Sequence, residues 1–194
     1  KFQNNQVINP EKFEKLIKGL DGKKFIIDAL SCSIQNEKII KSNFKIIDEI
    51  DPCYKFKSIK NSTEIRNTIN AHIEDGLALT KFIYWIKNIN KKKITEIEAK
   101  NKLQKFRKLN NNYLFPSFDT IAGTGSNGAI VHYRVSKKSN KIINKNDLFL
   151  CDSGGQYNFG TTDVTRTICF SRQKKSIKNI LNNVLKGHIA VVTT

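Results

Sequence analysis

Leu148-Phe149-Leu150-Cys151-Asp152-Ser153-Gly154, answered by Thr161-Thr162-Asp163-Val164-Thr165-Arg166-Thr167, is the stretch on which the reading of this chain turns. Both runs are rich in apolar and β-branched residues, and Gly154, Gly155, Asn158 and Gly160 lie between them, residue types that turn chains. The pattern predicts a β-hairpin. In an antiparallel pair, facing residues have a constant sum of positions and their side chains leave on one face. A tight turn centred on Tyr157-Asn158 sets Asp152 opposite Asp163, with Cβ atoms roughly 4.5–5.5 Å apart.

Two ionised carboxylates at that separation repel, and flanking Leu148, Leu150, Ile168 and Phe170 imply low-dielectric surroundings that worsen the repulsion. A shared proton, a basic neighbour such as Arg166, or a divalent cation would each compensate. Paired carboxylates that hold two cations suit hydrolysis, because two metals roughly 3.5–4 Å apart activate one water between them. The alternative is a solvated hairpin face, where carboxylates are common. Thr165 shares the Asp163 face and can orient a carboxylate. Arg166 falls on the other face and is assigned a structural ion pair.

Upstream, Gly123-x-Gly125-x-x-Gly128 matches the dinucleotide fingerprint by letter only. That fingerprint needs a helix to follow, whose N-terminus receives the pyrophosphate, and Ala129-Ile130-Val131-His132-Tyr133-Arg134-Val135 reads instead as a strand. The glycines are therefore read as a loop that lets a substrate chain approach the backbone. His132 falls in the predicted strand, between this loop and the Asp hairpin. A neutral imidazole there can donate to a developing oxyanion; a core histidine bonded to a backbone carbonyl is the other reading.

Residues 1–54 read as helix, strand, helix, strand. Asn9-Pro10 opens a helix bearing Phe13, Leu16, Ile17 and Leu20, Lys24–Asp28 is a short strand, and Phe44–Ile47 is a second. A piece this small looks like the tail of an α/β domain, with Asp51-Pro52 as boundary and a second domain over 55–194. Asn61 and Glu64 then start a long helix, with Ile65, Ile69, Ile73 and Leu77 as its apolar stripe. Thr95 and Glu98 form a capping box for another helix, with Ala99, Leu103 and Phe106 on one face. The chain turns helical again from Lys174. His72 and His188 are taken as packed or surface histidines.

At 194 residues with 39% hydrophobic content the chain can bury a core. It begins at Lys1 and contains no methionine, which leads us to expect an excerpt of a longer protein. The formal charge of +17 raises nucleic acid as a partner. The lysines are scattered among Asn and Ile, however, with Lys91-Lys92-Lys93 as the one tight cluster and no aromatic interleaving, so no specific nucleic-acid binding is expected. Cys32, Cys53, Cys151 and Cys169 show no CxxC spacing and suit a reducing, cytoplasmic compartment. No apolar run reaches the roughly 18 residues of a membrane span.

The run Phe118–Arg134, with Asp152-Ser153-Gly154 and Thr161–Thr167, closely resembles aminopeptidase P, the Xaa-Pro aminopeptidase branch of the creatinase and prolidase metallopeptidases with a "pita-bread" fold. The resemblance extends back through Asn61–Trp85 and forward to Leu185–Ala190. The family pattern shows proline where this chain has Ser126. The resemblance implies an α+β fold: the N-terminal half of a pita-bread catalytic domain, preceded by the tail of a creatinase-type α/β domain. It implies that Asp152 and Asp163 bind metal, that His132 is an active-site residue and not a ligand, and that the cofactors are two divalent ions, with manganese expected. It further implies metal-hydroxide attack on the bond before proline in peptides with proline at the second position. The remaining family ligands, one histidine and two glutamates, have no counterpart in these residues. The chain is therefore expected to be inactive alone, with a separate C-terminal half or a homodimer as possible partners. A non-catalytic pita-bread binding module and a remnant of a split gene are the alternatives.

Overall fold

The computed structural model describes Gln3, residues 7–89 and residues 93–193, so Lys91 and Lys92 of the basic cluster lie outside the described residues. The chain divides into two compact units, Lys1–Asn61 and Ser62–Thr194.

In the first unit Asn9 caps a 3-10 turn, its side chain accepting from the Glu11 N–H, and the turn runs into helix α1, Phe13–Lys18. Strand β1 (Lys24–Ile27), helix α2 (Ile34–Lys41), strand β2 (Lys45–Asp48) and helix α3 (Pro52–Ser58) follow. The predicted helix, strand, helix, strand order is therefore present. β1 and β2 pair in parallel from Lys24↔Lys45 to Ile27↔Asp48. Parallel neighbours need a crossover, and α2 supplies it. Ile17, Ile27, Ile40 and Phe44 form the small core. Asp51, before Pro52, caps α3 by accepting from the Cys53 N–H.

The second unit opens with two helices, α4 (Ser62–Asn88) and α5 (Glu96–Arg107). The capping box of α5 is formed as its sequence predicts, Thr95 and Glu98 satisfying one another's backbone N–H. α4 turns a different face inward from the one its isoleucines suggest. Ile65, Ile69, Ile73 and Leu77 are all at least half exposed, while Ala71, Asp75, Ala78, Leu79, Phe82 and Ile86 are buried. The small residues explain the choice: a Cβ placed on Gly160 would come within 2.9 Å of the Ala71 methyl, so helix and hairpin tip approach more closely than isoleucine permits.

Two three-stranded sheets follow. Strands β3 (Tyr113–Pro116), β6 (Gly155–Tyr157) and β7 (Gly160–Thr161) make one. Strands β4 (Ile121–Thr124), β5 (Leu148–Ser153) and β8 (Val164–Cys169) make the other, in the order β4-β5-β8. β5 alternates half-buried Leu148, Leu150 and Asp152 with buried Phe149, Cys151 and Ser153, the period-2 pattern of a strand between two different surroundings. Phe149 and Cys151 join Ala122, Ile168, Leu79, Phe82, Ala99 and Leu103 in one core under the helices. Helix α6 (Lys175–Val192) closes the chain and buries none of its residues.

The hairpin is present, but its register differs from the expected one. Tyr157 pairs with Gly160 around the turn Asn158–Phe159, and β5 pairs with β8 so that Asp152 faces Thr165. Tyr157 causes the shift. Its ring is buried and its hydroxyl donates to Asp75 at 2.8 Å, which holds it in the strand and pushes the turn one residue on. The predicted strand Ala129–Val135 is also absent. A 3-10 turn spans Gly125–Ala129 and a turn carries Val131 and His132.

Candidate metal and active site

Asp152 lies on the central strand of its sheet, between Ile121 of β4 and Thr165 of β8. Its Oδ1 is buried and has no hydrogen-bond partner. A buried carboxylate oxygen without a donor is costly, and a cation or proton is what would satisfy it. Asp163 stands immediately before β8, exposed, with no ion pair or hydrogen bond among the described residues. Asp163 lies just outside the paired residues, which end at Ser153↔Val164; continued one step further, that register would make it a diagonal neighbour of Asp152, about 7–8 Å away in a regular ladder and not directly opposed.

The surroundings of the pair also differ in part from expectation. Leu150 shares the Asp152 face, but Ile168 faces Phe149 and belongs, with Phe170, to the core on the other side. Arg166 forms no ion pair among the described residues; its guanidinium donates to the Thr165 carbonyl at 2.8 Å. The Gly-rich segment does bring backbones close together, but both belong to this chain. A Cβ on Gly123 would meet Gly128 N at 2.8 Å, and one on Gly128 would meet the Leu150 Cβ at 3.5 Å. The 3-10 turn is thereby seated on the Asp152 face of the sheet. His132 emerges from the next turn, exposed and at φ 53°, a conformation that non-glycine residues rarely adopt. No hydrogen bond joins it to either aspartate among the described residues.

Two buried polar networks support this region, and neither was anticipated from the sequence. In the first, Arg107 on α5 binds Asp75 on α4 through two bonds, Nε to Oδ1 at 2.6 Å and Nη2 to Oδ2 at 3.0 Å. Arg107 also donates to Ser153 Oγ at 3.0 Å, one residue beyond Asp152. Burial, together with the bond to Asp75, holds the Tyr157 phenol well above its ordinary pKa. In the second, Glu96 collects donors from the loop around His132. The available signal was positional. Asp75 lies four residues after Ala71 and four before Leu79, and Glu96 lies three before Ala99, so each interrupts a buried stripe.

Oxygen ligands suit hard divalent ions such as manganese, and an orphaned, shielded carboxylate oxygen with a second carboxylate on its own face fits half of such a site. Among the described residues no group of three or more His, Cys, Asp or Glu could hold a metal ion.

The profile of Metallopeptidase family M24 matches residues 66–194, and the chain belongs to that family. The probable Xaa-Pro aminopeptidase P of Sordaria macrospora is 42% identical over 160 residues, 80% of this chain and 26% of that protein. The Xaa-Pro aminopeptidase ApepP of Drosophila melanogaster is 41% identical over 150 residues, 76% of this chain and 24% of that protein. The chain thus spans about a quarter of the length of the curated relatives it matches. Among solved structures, the X-prolyl aminopeptidase of Caenorhabditis elegans, described as a cytosolic enzyme with a di-nuclear active site, superimposes with TM-score 0.64 at 34% identity, over 72% of this chain and 23% of that one. The prolidase of Pyrococcus horikoshii gives TM-score 0.74 at 26% identity, over 93% and 50%. The pita-bread fold implied by the sequence resemblance is thereby present. No helix among the described residues is long and apolar enough to cross a membrane.

Proposed function

We propose that this chain is the first half of the catalytic domain of a proline-directed aminopeptidase, following an N-terminal α/β portion. Its substrates are peptides with proline at the second position, from which the first residue is removed. The observation that carries the reading is the orphaned Oδ1 of Asp152 on the sheet face that also holds the Asp163 position, in a chain of family M24. Asp152 and Asp163 would hold divalent cations, manganese by the hardness of their oxygens, with the other ligands contributed by polypeptide outside these 194 residues. When bound, two such cations supply activation of a water and polarisation of the peptide carbonyl.

Thr165, which pairs with Asp152 across the ladder, would help to orient its carboxylate. His132 would donate one ring N–H to the oxygen on which negative charge develops. A cytoplasmic setting accords with the cytosolic C. elegans neighbour and with four free cysteines.

The test is turnover of an Xaa-Pro tripeptide with added manganese. The chain alone is expected to be inactive. Addition of a polypeptide that supplies the rest of the M24 domain is expected to produce activity, lost on Asp152→Ala and reduced at least about 100-fold on His132→Ala. Restored activity indifferent to Asp152→Ala and Asp163→Ala would overturn the assignment.

A further inference from the structure

We infer that Glu96 and Tyr133 are positioning residues that hold the loop bearing His132 in its left-handed conformation. The role as positioning for catalysis rests on the reading of His132 as an active-site group.

Between Thr124 and Lys141 the chain lies outside the sheet, with only a 3-10 turn as regular structure. What ties this excursion down is a single fully buried carboxylate. Glu96 Oε1 accepts from the Thr124 N–H at 2.8 Å and from the Asn127 amide at 3.0 Å. Oε2 accepts from the Tyr133 hydroxyl at 3.0 Å and from the Lys141 N–H at 3.1 Å. The start, the middle and the end of the excursion therefore converge on one side chain. Glu96 needs no cation, because hydrogen bonds from four groups satisfy both oxygens. Its own N–H donates to the Lys141 carbonyl at 3.0 Å, and the capping box fixes it in the first turn of α5.

His132 is exposed, precedes Tyr133 directly and is the one described non-glycine residue at positive φ. Histidine enters this region more readily than most residues with a Cβ, but it still does so uncommonly. A residue with a Cβ stays there only when its neighbours over-determine it. The neighbours here are the Tyr133 N–H, which donates to the Ile130 carbonyl at 3.2 Å, and the Tyr133 ring, which is buried with its hydroxyl on Glu96 and Ser139. The direction in which His132 projects is thus set from beneath, by contacts within this chain.

The experiment compares the melting of His132→Gly and His132→Ala in the 194-residue chain, in three backgrounds: otherwise unaltered, Tyr133→Phe, and Glu96→Gln. Glycine costs more chain entropy than alanine but carries no penalty at positive φ, so the sign of the difference reports the backbone conformation. In the otherwise unaltered chain His132→Gly is expected to melt about 3 °C above His132→Ala. In Tyr133→Phe, and in Glu96→Gln if it folds, the advantage is expected to vanish or reverse as the loop relaxes. A network that only stabilised the fold would lower both variants equally and leave their order unchanged, and that result would overturn the proposal. An alanine variant that melts at or above the glycine variant in the unaltered chain would also overturn it. The measurement does not depend on turnover: failure here leaves the peptidase reading standing, and failure of His132→Ala to affect reconstituted activity would leave the anchored loop standing without its catalytic purpose.

Discussion

Asp152 and Cys151 are consecutive on one strand and face opposite surroundings, which gives them opposite chemistry. The Cys151 side chain is buried among Phe149, Ala122 and Ile168, and loss of solvation pushes its thiol up to about 11. A thiol whose folded pKa lies above its unfolded one binds its proton more tightly in the folded state. Its contribution to stability is complete below about pH 9 and is lost as pH rises toward 11, an effect on the order of 3 kcal/mol. Denaturant titrations at pH 8 and pH 10.5 are therefore expected to show a smaller alkaline loss in Cys151→Ala than in the unaltered chain. The same burial predicts that Cys53 and Cys169, both exposed, react with a thiol reagent in the folded chain while Cys151 reacts only on unfolding. Rapid native labelling of Cys151 would show that the sheet is not packed as described.

Among the elements, α4 and the hairpin show how far sequence patterns reach. The existence of α4, α5 and the hairpin was legible: the capping box at Thr95 and Glu98, the Ala99 and Leu103 face and the alternation of β5 are all local signals. The face of α4 was not, because two stripes compete on it and the isoleucine stripe has the stronger hydrophobic pattern. The Asp75–Arg107 pair and the close approach of Gly160 to Ala71 decide between them, and both are tertiary. The hairpin register depends in the same way on Tyr157 reaching Asp75, far away in the chain. Two predictions belong here. Removing one partner of the buried pair, Asp75→Asn or Arg107→Met, is expected to cost about 3–5 kcal/mol in chemical denaturation, because the remaining group stays buried without its counterpart. Gly154→Ala is expected to cost about 3 kcal/mol, since a methyl there runs into the Thr162 carbonyl and the Ser117 hydroxyl where the hairpin passes from one sheet to the other. A loss below about 1 kcal/mol in either case would mean that the hairpin is not held as described.

At the scale of the molecule, the family was legible from the motifs around Asp152 and Asp163, whereas the detailed geometry of the site depends on contacts that no motif encodes. Asp152, Asp163 and His132 all lie within the unit Ser62–Thr194, where the two networks reach Ser153, next to Asp152, and Tyr133, next to His132. The central claim is that the two aspartates are one half of a divalent-cation site, and manganese reports on it directly by broadening the NMR signals of nearby nuclei. On titration of the 15N-labelled chain with Mn2+, the amide signals of Ile121, Asp152, Asp163 and Thr165 are predicted to broaden first, and Asp152→Asn combined with Asp163→Asn is predicted to abolish the effect. Broadening that begins elsewhere, or that survives in the double variant, would contradict the account.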